Sequence, residues 1–145
     1  MPFRKQIAIF DLDGTLAESK QAISREVARS LYELALLKRV AIISGGSFAQ
    51  FEKQFFPAWR EAEKEKAAQA ANLVAHANEN LIIFPTSGTQ CYEYRTQSNA
   101  WDLVYVENFP DGAKERITNI LKDIVASHRF GIPEDHVGAH IEDRG

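Results

Sequence analysis

The segment IAIFDLDGTL, residues 7–16, joins a short apolar run to a polar turn. Four consecutive apolar residues that stop at Asp11 are typical of a buried parallel strand. A second run of this kind, VAII at residues 40–43, stops at the turn Ser44-Gly45-Gly46. Between the two runs, apolar residues recur with the spacing of one face of an amphipathic helix: Ile23, Val27, Leu31 and Leu34. This order of strand, helix and strand predicts a βαβ unit with parallel strands.

The rest of the chain continues to alternate between helical and strand patterns. Ser47 and Gln50 have the spacing of a capping box, which predicts a helix that begins at Ser47 and ends at Pro57. The further predicted elements are a helix over 58–77, strands over 81–84 and 90–94, a strand over 101–106, a helix over 113–127 and a strand over 139–142. We therefore predict an α/β fold, with a Rossmann-like parallel sheet core and helices on both faces over residues 1–95. A second, smaller α+β unit is predicted over residues 96–145.

The composition excludes several classes of protein. The chain has 145 residues, of which 45% are hydrophobic, and its formal net charge is −3. A domain of this size buries enough surface to fold without disulfides, and the single cysteine, Cys91, has no partner for one. The mild acidity argues against a nucleic-acid partner, and the short apolar runs argue against a membrane protein. We expect a cytoplasmic protein whose partner is a small molecule.

Two aspartates follow the first predicted strand, at the sheet edge where α/β proteins bind ligands. Asp11 and Asp13 are two residues apart, and Gly14 permits a turn that brings both carboxylates toward one pocket. One carboxylate could attack a substrate while the other exchanges a proton with the leaving group. Two neighbouring carboxylates repel each other, and a divalent metal ion relieves that repulsion. Asp11 and Asp13 are therefore candidate catalytic residues and candidate metal ligands.

The turn after the second strand has the composition of a phosphate site. Ser44 supplies a hydroxyl, and Gly45 and Gly46 allow backbone N–H groups to converge on an anion near the start of a helix. Because the carboxyl ends of parallel strands meet at one edge, we expect this turn to lie beside the two aspartates.

Together, D-x-D-G-T-L at residues 11–16 and Ser-Gly-Gly at residues 44–46 resemble the first two signature motifs of the haloacid-dehalogenase-like (HAD) superfamily. The strand over 81–84, the following Ser87-Gly88 and the tyrosine-bearing strand after them resemble the branch with a large α+β cap. That branch includes eukaryotic-type phosphomannomutases and several sugar-phosphate phosphatases. Residues 141–145, IEDRG, are similar to a cap strand of the phosphomannomutases. The resemblance implies that residues 96–145 are part of a cap domain.

The resemblance also implies a role for each matching residue. Asp11 would be the nucleophile that forms an aspartyl-phosphate, and Asp13 the general acid and base. Mg²⁺ would be held by the Asp11 carboxylate and the backbone carbonyl of Asp13. The phosphate-binding residues would be Ser44, Gly45, Gly14 and Thr15, and Arg144 would grip a sugar phosphate. The implied activity is Mg²⁺-dependent hydrolysis of a small phosphorylated metabolite. Among such metabolites, the resemblance favours a sugar phosphate.

The sequence lacks two features that the superfamily requires after the cap, namely a lysine and an acidic pair that completes the metal site. Lys114 and Lys122 lie in the predicted second unit and do not match the context of that lysine. We therefore expect the chain to be the amino-terminal part of an enzyme and to be inactive alone. Three alternatives stay open: a phosphomannomutase-like sugar phosphomutase, a non-catalytic phosphate- or partner-binding domain, and a phospho-acceptor receiver domain.

Overall fold

A computed structural model describes residues 6–68 and 71–127, the side chains of residues 71–75 excepted. The strands are β1 (Ile7–Asp11), β2 (Arg39–Ile43), β3 (Leu81–Phe84), β4 (Gln90–Arg95) and β5 (Ala100–Val106). The helices are α1 (Arg25–Leu37), α2 (Phe48–Gln54), α3 (Phe56–Ala67), α4 (Ala71–Asn80) and α5 (Ala113–Ala126). The predicted strand over 139–142 and Arg144 lie outside the described residues.

The five strands form one sheet in the order β1-β2-β3-β4-β5. β2 pairs in parallel with β1 and with β3, as the apolar runs predicted. The prediction that the first run is buried was wrong, because Ile7 and Ile9 of β1 are 41% and 62% exposed. β4 pairs antiparallel with β3, and β5 pairs antiparallel with β4. The sheet is therefore mixed, with a parallel half that carries the two motifs. The α/β class and the Rossmann-like core of a sheet flanked by helices are confirmed.

The chain divides into two compact units, Met1–Val106 and Glu107–Gly145. The division falls after β5, which pairs along its length with β4. The boundary between a catalytic core and a cap at residues 95 and 96 stays a prediction. The second unit contains α5, which confirms the helix predicted over 113–127 and begins after Gly112 in a left-handed conformation (φ 71°). That this unit belongs to a cap stays a prediction.

Two helix predictions near residue 57 were wrong in detail. Ser47 is the N-cap of α2 but its side chain makes no capping hydrogen bond, so the predicted capping box is not formed. Pro57 does not end that helix; it lies in the first turn of α3, where the missing N–H of proline costs nothing because first-turn donors lack intrahelical partners. The single helix predicted over 58–77 is two helices, α3 and α4.

The main core lies between the sheet and helices α1–α4 and is rich in aromatic rings. Trp59 is 1% exposed, with its ring stacked 5.4 Å from that of Phe55 and tilted 4.9 Å from that of Tyr32. Its indole Nε1–H donates to Oδ1 of Asn78 at 2.8 Å. Burial, with a smaller effect of the charge on Glu63, raises the pKa of Tyr32 to about 12. The tyrosine therefore stays neutral in the core at physiological pH.

Cys91 belongs to a smaller buried cluster with Ala41 and Ile82 on the sheet. Burial, and then the charge of Glu93, raise the pKa of the thiol, which keeps it protonated and unreactive. Among the residues that the structure describes, no helix is both long enough and apolar enough to cross a membrane.

Ion pairs on the solvent-exposed surface link α1 to the charged run at residues 61–66 of α3. The pairs are Arg25–Glu61 at 2.7 Å, Arg29–Glu65 at 2.6 Å and Lys66–Glu33 at 2.8 Å. The hydrogen bond from Lys66 lowers the pKa of Glu33, and that from Arg29 lowers the pKa of Glu65. These bridges lie at the surface, so salt screens them and they contribute little to stability.

Gln54, at the end of α2, carries an unsatisfied buried amide. It is 5% exposed, and neither Nε2 nor Oε1 has a hydrogen-bond partner among the described residues. Burying an unpaired polar group costs about 1–3 kcal/mol. We expect Gln54→Met, which keeps the length of the side chain, to raise the free energy of unfolding by about 1 kcal/mol, as measured by urea denaturation.

The exposed Gln21 offers a control for that substitution. Gln21→Met should leave the free energy of unfolding within about 0.5 kcal/mol of the wild-type value. A lower stability for Gln54→Met than for wild type would contradict the prediction, because it would mean that the amide is hydrogen-bonded in solution.

Candidate active site

The candidate site lies at the carboxyl ends of β1, β2 and β3. Asp11 is the last residue of β1 and pairs in register with Ile43, the last residue of β2. The pairing continues one step further, where the backbone N–H of Leu12 donates to the carbonyl of Ile43 at 3.1 Å. Leu12 is fully buried, and this anchors the polar residues on either side of it. The two predicted motifs are therefore neighbours at one sheet edge.

Asp13 is held from two sides. Its Oδ1 accepts the backbone N–H of Lys20 at 2.9 Å, and its Oδ2 accepts the hydroxyl of Ser44 at 3.4 Å. The second bond is at the long limit and therefore weak. The Asp11 carboxylate is exposed and accepts no hydrogen bond from the residues that the structure describes. One carboxylate is thus fixed in place, and the other is open to a ligand.

The turn after Asp13 folds back on itself. Gly14 adopts φ 80°, a conformation that favours glycine, and its N–H donates to the carbonyl of Ala17 at 2.7 Å. No atom lies within 4 Å of the position that a Cβ would occupy at Gly14, so the conformation, not crowding, is what requires glycine. The N–H groups of Leu16 and Ala17 both donate to the carbonyl of Leu12. Thr15 is exposed in this turn, beside the two aspartates in sequence.

Ser44 is almost fully buried, at 2% exposure, and its hydroxyl joins the two motifs. The oxygen accepts the backbone N–H of Gly46 at 3.1 Å while the hydroxyl proton points toward Asp13. The Gly46 N–H is thus occupied by Ser44. Gly45 is exposed in the same turn. Ser44, Gly45, Gly14 and Thr15 remain predicted phosphate ligands.

The loop after β3 completes the site, and the motif analysis did not assign it a role. The N–H of Thr86 donates to the carbonyl of Gly46 at 2.8 Å, and that of Ser87 donates to the carbonyl of Ser44 at 2.9 Å. Thr86, Ser87 and Gly88 all have positive φ, of 49°, 57° and 86°. Such strain in non-glycine residues is concentrated at functional sites. Sequence reasoning could have found this loop from its position. It follows the third predicted buried strand, so it lies at the same edge of the sheet as the two motifs.

Lys20 was also missed, and no sequence signal could have found it. Its contribution is a backbone N–H, which any residue but proline could supply, aimed at Asp13 by a left-handed backbone (φ 60°). Among the described residues, no group of three or more His, Cys, Asp or Glu side chains converges as a metal site. The oxygen donors at this edge are carboxylates and backbone carbonyls, which are ligands that Mg²⁺ accepts when water and phosphate oxygens supply the others.

Comparison with solved structures finds this fold in IMP-nucleotidase of Plasmodium falciparum. The C-terminally truncated form of that protein matches with a TM-score of 0.62 at 15% sequence identity, covering 84% of this chain and 34% of its own. The N-terminally truncated form with bound IMP matches with a TM-score of 0.58 at 14% identity, covering 88% and 36%. The ATP-bound form gives 0.58 at 13% identity, covering 84% and 30%.

The chain therefore spans about a third of the length of these structures. At such identities the likeness establishes a shared fold. No protein-family model matches the sequence, and no curated protein sequence matches it.

Proposed function

We propose that the chain carries the nucleophile half of a phosphatase of the HAD type that hydrolyses a small phosphorylated metabolite. The observation that carries the proposal is the open Asp11 carboxylate at the end of a parallel strand, beside an Asp13 carboxylate that Ser44 and Lys20 hold. The fold shared with a nucleotidase whose structures hold IMP supports the same class of reaction. A sugar phosphate, including the ribose phosphate of a nucleotide, is the proposed substrate.

The two carboxylates divide the chemistry. An oxygen of Asp11 attacks phosphorus, and the bond from phosphorus to the leaving oxygen breaks as Asp13 gives that oxygen a proton. The product is an aspartyl-phosphate on Asp11 and a free alcohol. Asp13, now a carboxylate, takes a proton from water as the water attacks the aspartyl-phosphate, which releases inorganic phosphate and restores Asp11. The bond from Lys20 keeps Asp13 oriented through both steps.

Ser44 links binding to this proton transfer. Its hydroxyl has one proton, which the weak 3.4 Å bond to Asp13 holds only loosely. A bound phosphate oxygen, which is a stronger acceptor, would draw this proton away from Asp13. The exchange would bind the phosphate and leave Asp13 free to donate. The bond from the Gly46 N–H keeps the Ser44 oxygen in place meanwhile.

The residues fit a Mg²⁺ ion that is bound mainly by water and phosphate. The Asp11 carboxylate and the Asp13 backbone carbonyl would hold it, since Mg²⁺ is commonly bound through one or two carboxylates plus substrate phosphates. When bound, the ion would neutralise charge on the phosphate oxygens. The phosphomannomutase-like and non-catalytic alternatives stay open, because no feature of the described residues favours either.

The proposal is tested on protein expressed from the complete open reading frame that encodes this sequence, because we expect the 145 residues alone to be inactive. The assay measures phosphate release from a panel of sugar phosphates and nucleoside monophosphates, with Mg²⁺ and with EDTA. We expect Mg²⁺-dependent release from at least one of them. For the responsive substrate, Ser44→Ala should lower kcat on the order of 10²-fold, the effect of removing one donor to a transferring oxygen.

Ser47→Ala is a matched control on the same loop, because the Ser47 side chain makes no capping bond. It should retain the kcat of wild type. If Ser44→Ala lowered the melting temperature but left kcat unchanged, Ser44 would be a structural residue and its proposed role in phosphate binding would be wrong.

A further inference from the structure

A pocket of about 260 Å³ opens in the first unit, away from the two aspartates. It is lined by residues of α3 and α4 and of the hairpin β4–β5. β4 runs antiparallel to β3, with Ile83 opposite Tyr92 and Ile82 opposite Glu93, so Tyr94 lies toward the amino end of β3. The pocket is therefore at the end of the sheet opposite to Asp11 and Ser44.

Aromatic rings form part of the wall of this pocket, beside the polar side chains of Arg60, Glu63, Lys64, Asn78 and Asn99. Trp101 is partly exposed, with its ring 5.1 Å from that of Phe56 and 5.6 Å from that of Tyr94. Trp59 is buried and lines the inner side. Pockets that bind small molecules are largely apolar and aromatic, with a few polar groups that orient the ligand. The volume of about 260 Å³ is just below the range of about 300–1,000 Å³ for such pockets, so the pocket has room for one ring system and the rest of a ligand would lie at its rim.

Glu63 places a hydrogen-bond acceptor in the lining of the pocket. The Glu63 carboxylate is partly buried and accepts Nδ2 of Asn78 at 2.6 Å, while Asn78 accepts the indole N–H of Trp59. This chain of bonds fixes the carboxylate against the aromatic walls. A carboxylate has acceptor capacity for several donors, so Glu63 can also take the amino group of a ligand.

Two cations lie along α3 beside that acceptor. Arg60 and Lys64 are one helical turn apart and both line the pocket. The Arg60 guanidinium lies 5.4 Å from the centre of the Phe56 ring and pairs with Glu52 at 3.4 Å. Lys64 is exposed at the rim, where an ammonium group can meet a ligand anion.

We propose that this pocket is a second ligand site, and that it binds a nucleoside monophosphate. A planar base would stack on the accessible part of the Trp101 ring, its amino group would donate to Glu63, and its phosphate would meet Lys64 at the rim. Base stacking on aromatic side chains supplies most of the affinity in such sites, and the cation adds a smaller, salt-dependent part. This proposal does not depend on phosphatase activity at Asp11.

Intrinsic fluorescence reports directly on the pocket, because the chain has two tryptophans and both line it. The experiment titrates the protein with AMP, adenosine or ribose 5-phosphate in EDTA, which prevents Mg²⁺-dependent hydrolysis. We expect saturable quenching by AMP, weaker binding of adenosine, and no quenching by ribose 5-phosphate. No saturable change with AMP up to about 1 mM would overturn the proposal.

Variants separate this site from the aspartates. Lys64→Ala should weaken AMP binding about two- to fivefold and leave adenosine unchanged, and Trp101→Leu should weaken both about tenfold. Lys53→Ala, at an exposed lysine that does not line the pocket, is the matched control and should bind AMP as wild type does. Asp11→Asn should also leave the quenching unchanged. Quenching that is lost in Asp11→Asn but retained in Trp101→Leu would assign the nucleotide to the aspartate site and overturn the proposal.

Discussion

Replacing Asp11 with asparagine is expected to lower the rate of phosphate release on the order of 10⁴-fold, because it removes the proposed nucleophile. Asparagine has nearly the same shape as aspartate, and the Asp11 side chain is exposed and accepts no hydrogen bond within the described residues. The fold should therefore tolerate the change, with a melting temperature close to that of wild type. The measurement is kcat on the substrate identified in the Mg²⁺-dependent assay.

Trapping of the intermediate gives a second measurement. Wild-type protein quenched with acid during turnover should carry a phosphoryl group that hydroxylamine removes, as expected of an acyl phosphate, and Asp11→Asn should carry none. Asp102→Asn is the matched control, since Asp102 is an exposed aspartate on β5. Full activity in Asp11→Asn would place the nucleophile elsewhere. Substrate binding without turnover in wild type would instead favour a non-catalytic phosphate-binding domain.

The parallel half of the fold could be predicted from sequence because its signal is local. A short run of apolar residues that ends at a polar turn is typical of a strand in a parallel sheet, and β1, β2 and β3 all lie where such runs occur. The break between α3 and α4 could not be predicted in this way, since no glycine or proline interrupts residues 58–77. The pairing of β5 with β4 could not be predicted either, because the residue pattern of a strand does not show which sheet the strand joins.

The candidate site, like the fold, could be predicted from sequence only in part. Side-chain chemistry identified Asp11, Asp13 and Ser44, and the structure brings Asp13 and Ser44 into contact. The groups that position them are backbone atoms of Lys20, Thr86 and Ser87, and their identity carries no sequence signal. Motifs therefore predict which atoms react, whereas the geometry that holds those atoms has to be read from the structure.

Truncating Trp59 to alanine is expected to lower the free energy of unfolding by about 3–5 kcal/mol, the usual cost of removing a buried large aromatic side chain. The ring is 1% exposed and packs on both Phe55 and Tyr32, so its loss leaves a cavity lined by other rigid rings that cannot collapse to fill it. It also leaves Oδ1 of Asn78 without its indole donor in a buried position. Urea denaturation followed by circular dichroism measures the change.

Trp59→Phe separates these two contributions, because phenylalanine keeps most of the aromatic packing and removes only the N–H donor. It should cost about 1–3 kcal/mol, the cost of leaving a buried acceptor unpaired plus some packing. Leu37→Ala is the control for a large-to-small change without burial: Leu37 is 80% exposed at the end of α1, so its loss should change stability by less than about 0.5 kcal/mol. Equal losses for Trp59→Ala and Trp59→Phe would assign the whole effect to the hydrogen bond to Asn78. A loss below about 1 kcal/mol in Trp59→Ala would mean that the aromatic cluster relaxes into the cavity, and that the wall of the pocket formed by Trp59 is not rigid.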